Sequence, residues 1–289
     1  MKVLNFGSLN YDYVYQMDHI VRPGETLTSS GRDIVLGGKG LNQSIALARA
    51  GVTVYHAGAV GEDGGELVNY LKENGVNVQF VRTLPGPSGH AVIQVDKNGQ
   101  NSIILFTGAN RKQEKAFIDE VIENFGEGDY LLLQNEINEL PYIIEKAYEK
   151  KMKIVLNPSP FDEYLKACDM GKISLFIMNE IEGKELTGES EPAKILEKVQ
   201  SLYPQADVVL TLGEDGSCYK KGGEITYQGI VKVKAVDTTA AGDTFTGYFL
   251  AGIAEELSPA ENLARCAKAS AITVSRKGAA PSIPLKTEL

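Results

Sequence analysis

The sequence is short of several things that would settle a function class at once. Three cysteines and three histidines occur in 289 residues, with no C-x-x-C pair and no histidine at ligand spacing from a cysteine. A disulfide framework and a zinc centre are therefore not indicated. Cys168, Cys218 and Cys266 are expected as buried, reduced thiols, and His19, His56 and His90 as isolated structural residues. Positive charge is scarce too: 29 Lys+Arg against 38 Asp+Glu gives a net charge of −9, with no basic run. That removes the electrostatic footprint of a nucleic-acid binder, and an anionic ligand would have to be caught by local geometry. No segment approaches the roughly 20 apolar residues of a membrane span, and Asn5 and Gly7 interrupt the first apolar stretch too early for a secretory leader. A cytoplasmic protein without a membrane partner is expected. Neither G-x-x-x-x-G-K-[ST] nor G-x-G-x-x-G occurs, which disfavours P-loop nucleotidases and NAD-linked oxidoreductases.

What the chain does have is 43% hydrophobic residues, 30 glycines and an alternation of extended and helical patterns. Strands are expected at Val3 to Phe6, Thr53 to Ala57, Tyr130 to Gln134, Lys153 to Leu156, Ile173 to Met178 and Val208 to Leu212. Helices are expected at Leu41 to Ala50, Glu66 to Asn74, Leu140 to Lys150, Ala193 to Leu202, Gly242 to Glu256 and Pro259 to Val274. Strands separated by helices of this length predict an α/β fold with a mostly parallel central sheet covered on both faces. Two patches break the alternation. Asp12 to Leu36 is rich in β-branched residues, and His90 to Thr107 places Asn98-Gly99 between two β-rich runs, the strongest short-range hairpin signal. They read as one small inserted sheet, built from segments about 12–36 and 88–107 of a single 1–289 domain, able to close over a ligand crevice.

Two glycine clusters carry the chemistry. Gly37-Gly38-Lys39-Gly40-Leu41-Asn42 lies at a strand-to-helix junction, where backbone can approach a ligand closely. Asp237-Thr238-Thr239-Ala240-Ala241-Gly242-Asp243 leads into an apolar helix, and its small residues leave N–H groups unobstructed where the dipole favours an anion. A carboxylate beside such a cradle can take a proton from an attacking hydroxyl while the N–H groups hold a phosphoryl group. Asp243 could equally be the N-cap of that helix.

The two clusters together, with Asn10-Tyr11-Asp12, Gly108-Ala109-Asn110, Gln134-Asn135-Glu136, Asn157-Pro158, Asn179-Glu180-Ile181-Glu182, Thr211-Leu212-Gly213 and Arg276 to Ser282 in order, resemble the ribokinase branch of the PfkB family of carbohydrate kinases. The resemblance implies a ribokinase-like fold and ATP-dependent phosphorylation of a sugar hydroxyl, ribose first, with fructose, 2-keto-3-deoxygluconate or pseudouridine as alternatives. A non-catalytic sugar- or nucleotide-binding protein on the same fold is the reading from another class. By position, Asn10, Asp12, Gly38, Lys39, Asn42 and Glu136 would hold the sugar. Asp243 would be the general base, with Ala240, Ala241 and Gly242 as the anion hole. Asn179, Thr211, Gly213, Gly216 and Gly242 would bind ATP, and Glu182 would order the water around magnesium. Potassium would sit near Asp237, Thr239, Thr273, Arg276, Gly278 and Ser282. The family also pairs through its lid sheet, which implies a homodimer.

Each position has a structural alternative. Asp12 could be a turn residue, Asn42 a helix-start cap, Glu136 a solvated loop carboxylate, and Asn179 and Glu182 helix caps. Tyr11, Leu41, Asn135, Met178 and Tyr248 depart from the family pattern. Tyr11 and Asn135 are expected to bear most on which sugar fits.

Overall fold

The computed structural model describes residues 1–289. The chain begins with β1 (Val3–Phe6), crosses into β2 (Asn10–Gln16) and β3 (Gly31–Gly37), and returns through α1 (Lys39–Arg49) to β4 (Val54–Val60). After α2 (Gly65–Glu73) and β5 (Asn77–Thr83) come β6 (Gly89–Val95) and β7 (Asn101–Phe106), then α3 (Lys115–Ile122), β8 (Tyr130–Gln134), α4 (Leu140–Glu149) and β9 (Lys153–Asn157). The remainder is β10 (Leu175–Asn179), α5 (Glu180–Thr187), α6 (Pro192–Leu202), β11 (Asp207–Thr211), the hairpin β12 (Ser217–Lys221) and β13 (Glu224–Gln228), α7 (Ala241–Ala254) and α8 (Pro259–Val274).

These strands form a nine-stranded sheet in the order β13-β12-β11-β10-β9-β8-β1-β4-β5, parallel from β11 to β5 with the hairpin antiparallel at one edge. Parallel strands covered on both faces read as apolar runs, and alternate residues feed opposite cores. Leu131 and Leu133 join α3, α4 and α6 on one face, while Leu132 joins α1, α2, α7 and α8 on the other. The expected α/β sandwich is thus present, with helices on both faces.

The two patches outside the alternation form a separate four-stranded sheet, β3-β2-β6-β7, in which β2 and β6 run parallel. Within the expected 12–36 segment only the ends are strand, β2 closing at Gln16 and β3 opening at Gly31. The strand β5, the hairpin β12–β13 and the helix α3 were not foreseen. The Gly222-Gly223 dipeptide between two β-rich stretches was a usable hairpin signal. At eight residues, α3 is too short to display a helical period.

Candidate active site

The site is assembled where backbones come unusually close. Gly40, in the first turn of α1, lies so near the turn after β1 that a Cβ would stand 2.4 Å from the Ser8 nitrogen and 2.6 Å from the Gly7 carbonyl carbon. Gly38, the residue ahead of α1, has φ +95°, a conformation that disfavours any side chain. On the other side of α1, Gly247 lets α7 press onto the backbone of Ala46 and Leu47, where a Cβ would come within 2.8 Å. The close crossing brings Asn42 and Gln43 of α1 against Asp243 of α7.

Asp243 is the third residue of α7, not its N-cap; Ala240 occupies that place, in a left-handed conformation with φ 61°. The capping alternative therefore fails, and the carboxylate is used elsewhere. Asn42 Nδ2 donates to its Oδ2 at 3.0 Å and Gln43 Nε2 to its Oδ1 at 2.9 Å. Ala241 N–H donates to Thr238 O at 3.3 Å, whereas the N–H groups of Ala240, Gly242 and Asp243 meet no acceptor in the protein. Unpaired donors at the positive end of a 14-residue helix make an anion cradle.

A polar cavity of about 220 Å³ opens on this cradle, lined by Asp243, Lys39, Asn157, Asn179, Glu182 and the 240–242 turn. Burial works against the charge of Lys39, but the carboxylates of Asp243, Glu136 and Glu182 outweigh it and hold the ammonium pKa above its ordinary value. Asn179 and Glu182 form a reciprocal capping box at the start of α5, with Glu182 N–H donating to Asn179 Oδ1 at 2.8 Å and Asn179 N–H to Glu182 Oε2 at 3.0 Å. Capping and cavity lining are thus both true of this pair. A second, mostly apolar cavity of about 380 Å³ adjoins the first, sharing Thr211, Thr238, Ala241 and Gly242. Gly213 and Gly216 line it together with Val231, Phe245 and Ala271.

Asn10 and Asp12 lie on β2, so Asp12 is a strand residue and not part of a turn. Asn110 pins Asn10: its Oδ1 accepts from Leu9 N–H at 2.9 Å, which turns its Nδ2 to donate to Asn10 Oδ1 at 2.7 Å. Glu136 is half-buried rather than solvated, accepting from the Ser8 hydroxyl and from Lys39 N–H at 3.1 Å. Burial pushes its pKa up against the pull of Lys39. Burial, then the neighbouring Glu136 carboxylate, pushes Asp12 up to about 7. Asn10, Asp12, Gly38, Asn42 and Glu136 line neither cavity; Lys39 is their link to the polar one.

Tyr11 and Asn135 do not face this group. Strand alternation sends Tyr11 to the opposite side of β2, where it is buried and its hydroxyl donates to Asp63 O at 2.9 Å. Asn135 is fully buried and donates to Pro160 O and Asp162 Oδ1. The expectation that these two residues tune the sugar is therefore not supported by their positions. Tyr248 is likewise in the core, with its hydroxyl donating to Pro284 O at 2.9 Å, and Leu41 is a plain core residue, whereas Met178, also buried, lines the polar cavity.

Of the loop residues at 237–282, Asp237 and Gly278 meet directly: Gly278 N–H donates to Asp237 Oδ2 at 2.9 Å, while Thr239 donates to Oδ1. The carbonyls of Thr239, Arg276 and Gly278 accept no hydrogen bond from the protein. Thr273 and Ser282 are engaged elsewhere, Thr273 Oγ1 with Thr244 and Ser282 Oγ with Ala279 O.

Sequence reading missed Gln43, Gln134, Asn157 and Asn5 as members of the site's polar framework. The signal was present: β8, β9 and β10 read LLLQ, IVLN and FIMN, each apolar strand ending in an amide at the carboxyl edge where open α/β sheets bind ligands.

Comparisons with known proteins bear on the family and the fold. The family model described as pfkB family carbohydrate kinase matches residues 1–286. A ribokinase of Haemophilus influenzae is 34% identical over 295 residues, covering 98% of this chain and 95% of that protein. Among solved structures, the ribokinase of Thermotoga maritima is 33% identical with a TM-score of 0.89, over 99% of this chain and 97% of that one. The Arabidopsis thaliana ribokinase complexed with ribose and ATP is 30% identical with a TM-score of 0.88, over 99% and 96%.

Proposed function

The chain belongs to the pfkB family of carbohydrate kinases, and from that premise we propose that it is a ribokinase, transferring the γ-phosphoryl group of ATP to the primary hydroxyl of ribose. The observation that carries the reading is the pairing of an unspent N–H cradle at the start of α7 with the Asp243 carboxylate on the same cavity wall. The names of its relatives, including one complexed with ribose and ATP, support ribose as the acceptor.

The residues divide the work by chemistry. Asp243 accepts the proton of the attacking hydroxyl, its two oxygens held by Asn42 and Gln43. The free N–H groups of Ala240, Gly242 and Asp243 and the Lys39 ammonium face the transferred phosphoryl group, so positioning and electrostatics supply most of the rate. The apolar cavity bounded by Thr211, Gly213 and Gly216 takes the nucleobase. Asn10 and Asp12 hold sugar hydroxyls: Asn10 keeps its Nδ2 free as a donor, and ionised Asp12 accepts. Asn42 Oδ1 is buried without a donor, and a sugar hydroxyl would supply one.

The Asn179 and Glu182 side chains fit an ordered hydration shell around magnesium, which when bound would neutralise charge on the nucleotide phosphates. The unengaged carbonyls of Thr239, Arg276 and Gly278, with Asp237 joined to Thr239 and Gly278, would supply oxygen donors to a potassium ion. The small sheet serves as a lid, and its exposed Ile34, Ile103, Ile104, Leu105 and Phe106 would be covered in a homodimer. Three buried, unpaired cysteines suit a cytoplasmic location.

An ADP-release assay over ribose, 2-deoxyribose, fructose, 2-keto-3-deoxygluconate and pseudouridine, with and without potassium, tests the proposal. Ribose is expected to give the highest kcat/KM. Preference for another acceptor would reassign the substrate within the family, and no ADP release with any of them would leave a binding protein.

A further inference from the structure

Behind Asp243 lies a chain of buried amides that the transfer reaction does not touch. Asn5, Gln43, Ser44, His56 and Gln134 are all fully buried in the apolar face of the sheet beneath α1, where an unsatisfied polar group is costly. Asn5 Nδ2 donates to Gly40 O and to Ser44 Oγ, each at 2.8 Å. Because Gly40 O is a backbone carbonyl, the Asn5 amide can face it only with its NH2, which leaves Asn5 Oδ1 to accept. Gln134 Nε2 fills that need at 3.0 Å and donates also to Gln43 Oε1 at 2.7 Å. Gln43 is thereby left with its Nε2 pointing outward, to Asp243 Oδ1 at 2.9 Å and Asn157 Oδ1 at 3.1 Å. Asn157 in turn donates to the Ile177 backbone carbonyl at 3.0 Å, so the chain is anchored by fixed acceptors at both ends. Ser44 Oγ, which accepts from Asn5, is also hydrogen-bonded to His56 Nδ1 at 2.8 Å. Burial drives the pKa of that imidazole down to about 4, so it stays neutral. The Gly40 and Ile177 carbonyls orient Asn5 and Asn157, and these orient Gln134 and Gln43 in turn, with Gln134 Oε1 left buried without a donor.

We propose that Gln43 is a positioning residue for the Asp243 carboxylate, locked as a donor to it by the buried relay Gly40–Asn5–Gln134. The proposal rests on Asp243 being the general base. Gln43 lines neither cavity, so it acts through Asp243 and not on a ligand. Asn42 alone grips only Oδ2 and would leave the carboxylate free to turn about that bond. Gln43 at the other oxygen fixes the plane of the group, and with it the direction from which a hydroxyl proton can be received. Gly7 belongs to the same device, because a Cβ there would stand 2.6 Å from Gln134 Oε1 and displace the relay.

A double-mutant cycle separates this role from a structural one. Gln43→Met keeps the length of the side chain and removes the donor; kcat with ribose and ATP is expected to fall about ten- to hundredfold, with both KM values within about twofold of wild type. In an Asp243→Asn background the same substitution is expected to cost nothing further. Gln134→Met, one step back along the relay, should reproduce the kcat-only loss at smaller size, also vanishing with Asp243→Asn, and serves if Gln43→Met does not fold. An unchanged kcat, a loss confined to KM, or an equal loss in both backgrounds would overturn the positioning role. Wild-type turnover by Asp243→Asn itself would instead overturn the general-base reading, a separate and recognisable outcome.

Discussion

The turn before α1 and the turn before α7 have similar compositions for opposite reasons. In the first, the protein itself demands small residues: Gly37 has no room beside the Asp12 carboxylate, Gly38 has a positive φ, and Gly40 abuts the Ser8 backbone. In the second, nothing of the protein lies within 4 Å of where a Gly242 Cβ would stand. There the space is left for something else. One turn is small so that two pieces of backbone can touch; the other leaves its N–H groups open, as the proposed phosphoryl cradle requires. A glycine count cannot distinguish the two cases.

Substitutions can press on that contrast, beginning with the largest effect. Asp243→Asn should lower kcat by about two to four decades while leaving ATP binding and thermal stability near wild type. Steady-state kinetics beside calorimetric titration with ATP would check it, and near-normal turnover would refute the assignment. Gly40→Ala should do the reverse, costing on the order of 3 kcal/mol of stability or preventing folding, because rigid backbone on the opposite side cannot yield. Urea unfolding reads this directly, and a midpoint within error of wild type would mean the two backbones are not so closely apposed. Gly242→Ala separates the turns most sharply. Helix propensity predicts a gain of about 0.5–1 kcal/mol, while the added methyl crowds the cradle and raises the ATP KM roughly tenfold. A loss of stability there would make the second turn like the first.

The smallest effect concerns Asp12, whose pKa is raised to about 7 from an ordinary 3.8. The folded protein holds this proton more tightly than the unfolded chain does. Its contribution to stability is therefore complete below about 3.8 and is lost as pH rises through about 7. In the proposed function sugar binding has the opposite sign, since there the ionised carboxylate accepts from a sugar hydroxyl: the KM for ribose should fall as pH rises through that value. Asp12→Asn should flatten both profiles, and a pH-independent KM in the wild type would take Asp12 out of the pocket.

The large sheet was legible because its parallel strands, covered on both faces, are short apolar runs in any reading frame. The hairpin around Asn98-Gly99 announced itself by turn chemistry. The edge strand β5, by contrast, mixes polar and apolar residues in NVQFVRT, and only its pairing with β4 reveals it. At the site, the motif order pointed to Asp243, Lys39 and Glu136, and these three are brought together electrostatically around Lys39. Tyr11 and Asn135 misled because a neighbour in sequence is not a neighbour in space: each adjoins a residue proposed to hold the sugar, and each side chain is engaged elsewhere. Gln43 and Gln134 escaped notice because a buried amide has no pattern in one sequence; its meaning appears only when its partners are known.

The small sheet also has a consequence for how the chain acquires its structure. Its two hairpin-like halves leave the main body at different points, and they are stitched together by the parallel pairing that sets Asn10 beside Gly89 and Gln16 beside Val95. Between those strands the chain must first complete β3, α1, β4, α2 and β5. Closing so long a loop is entropically expensive, and non-local strand pairing of this kind slows folding. The small sheet should therefore be among the last parts to gain protection from hydrogen exchange during refolding. On a ribosome, β2 would wait for residues past Val95 before it found its parallel partner.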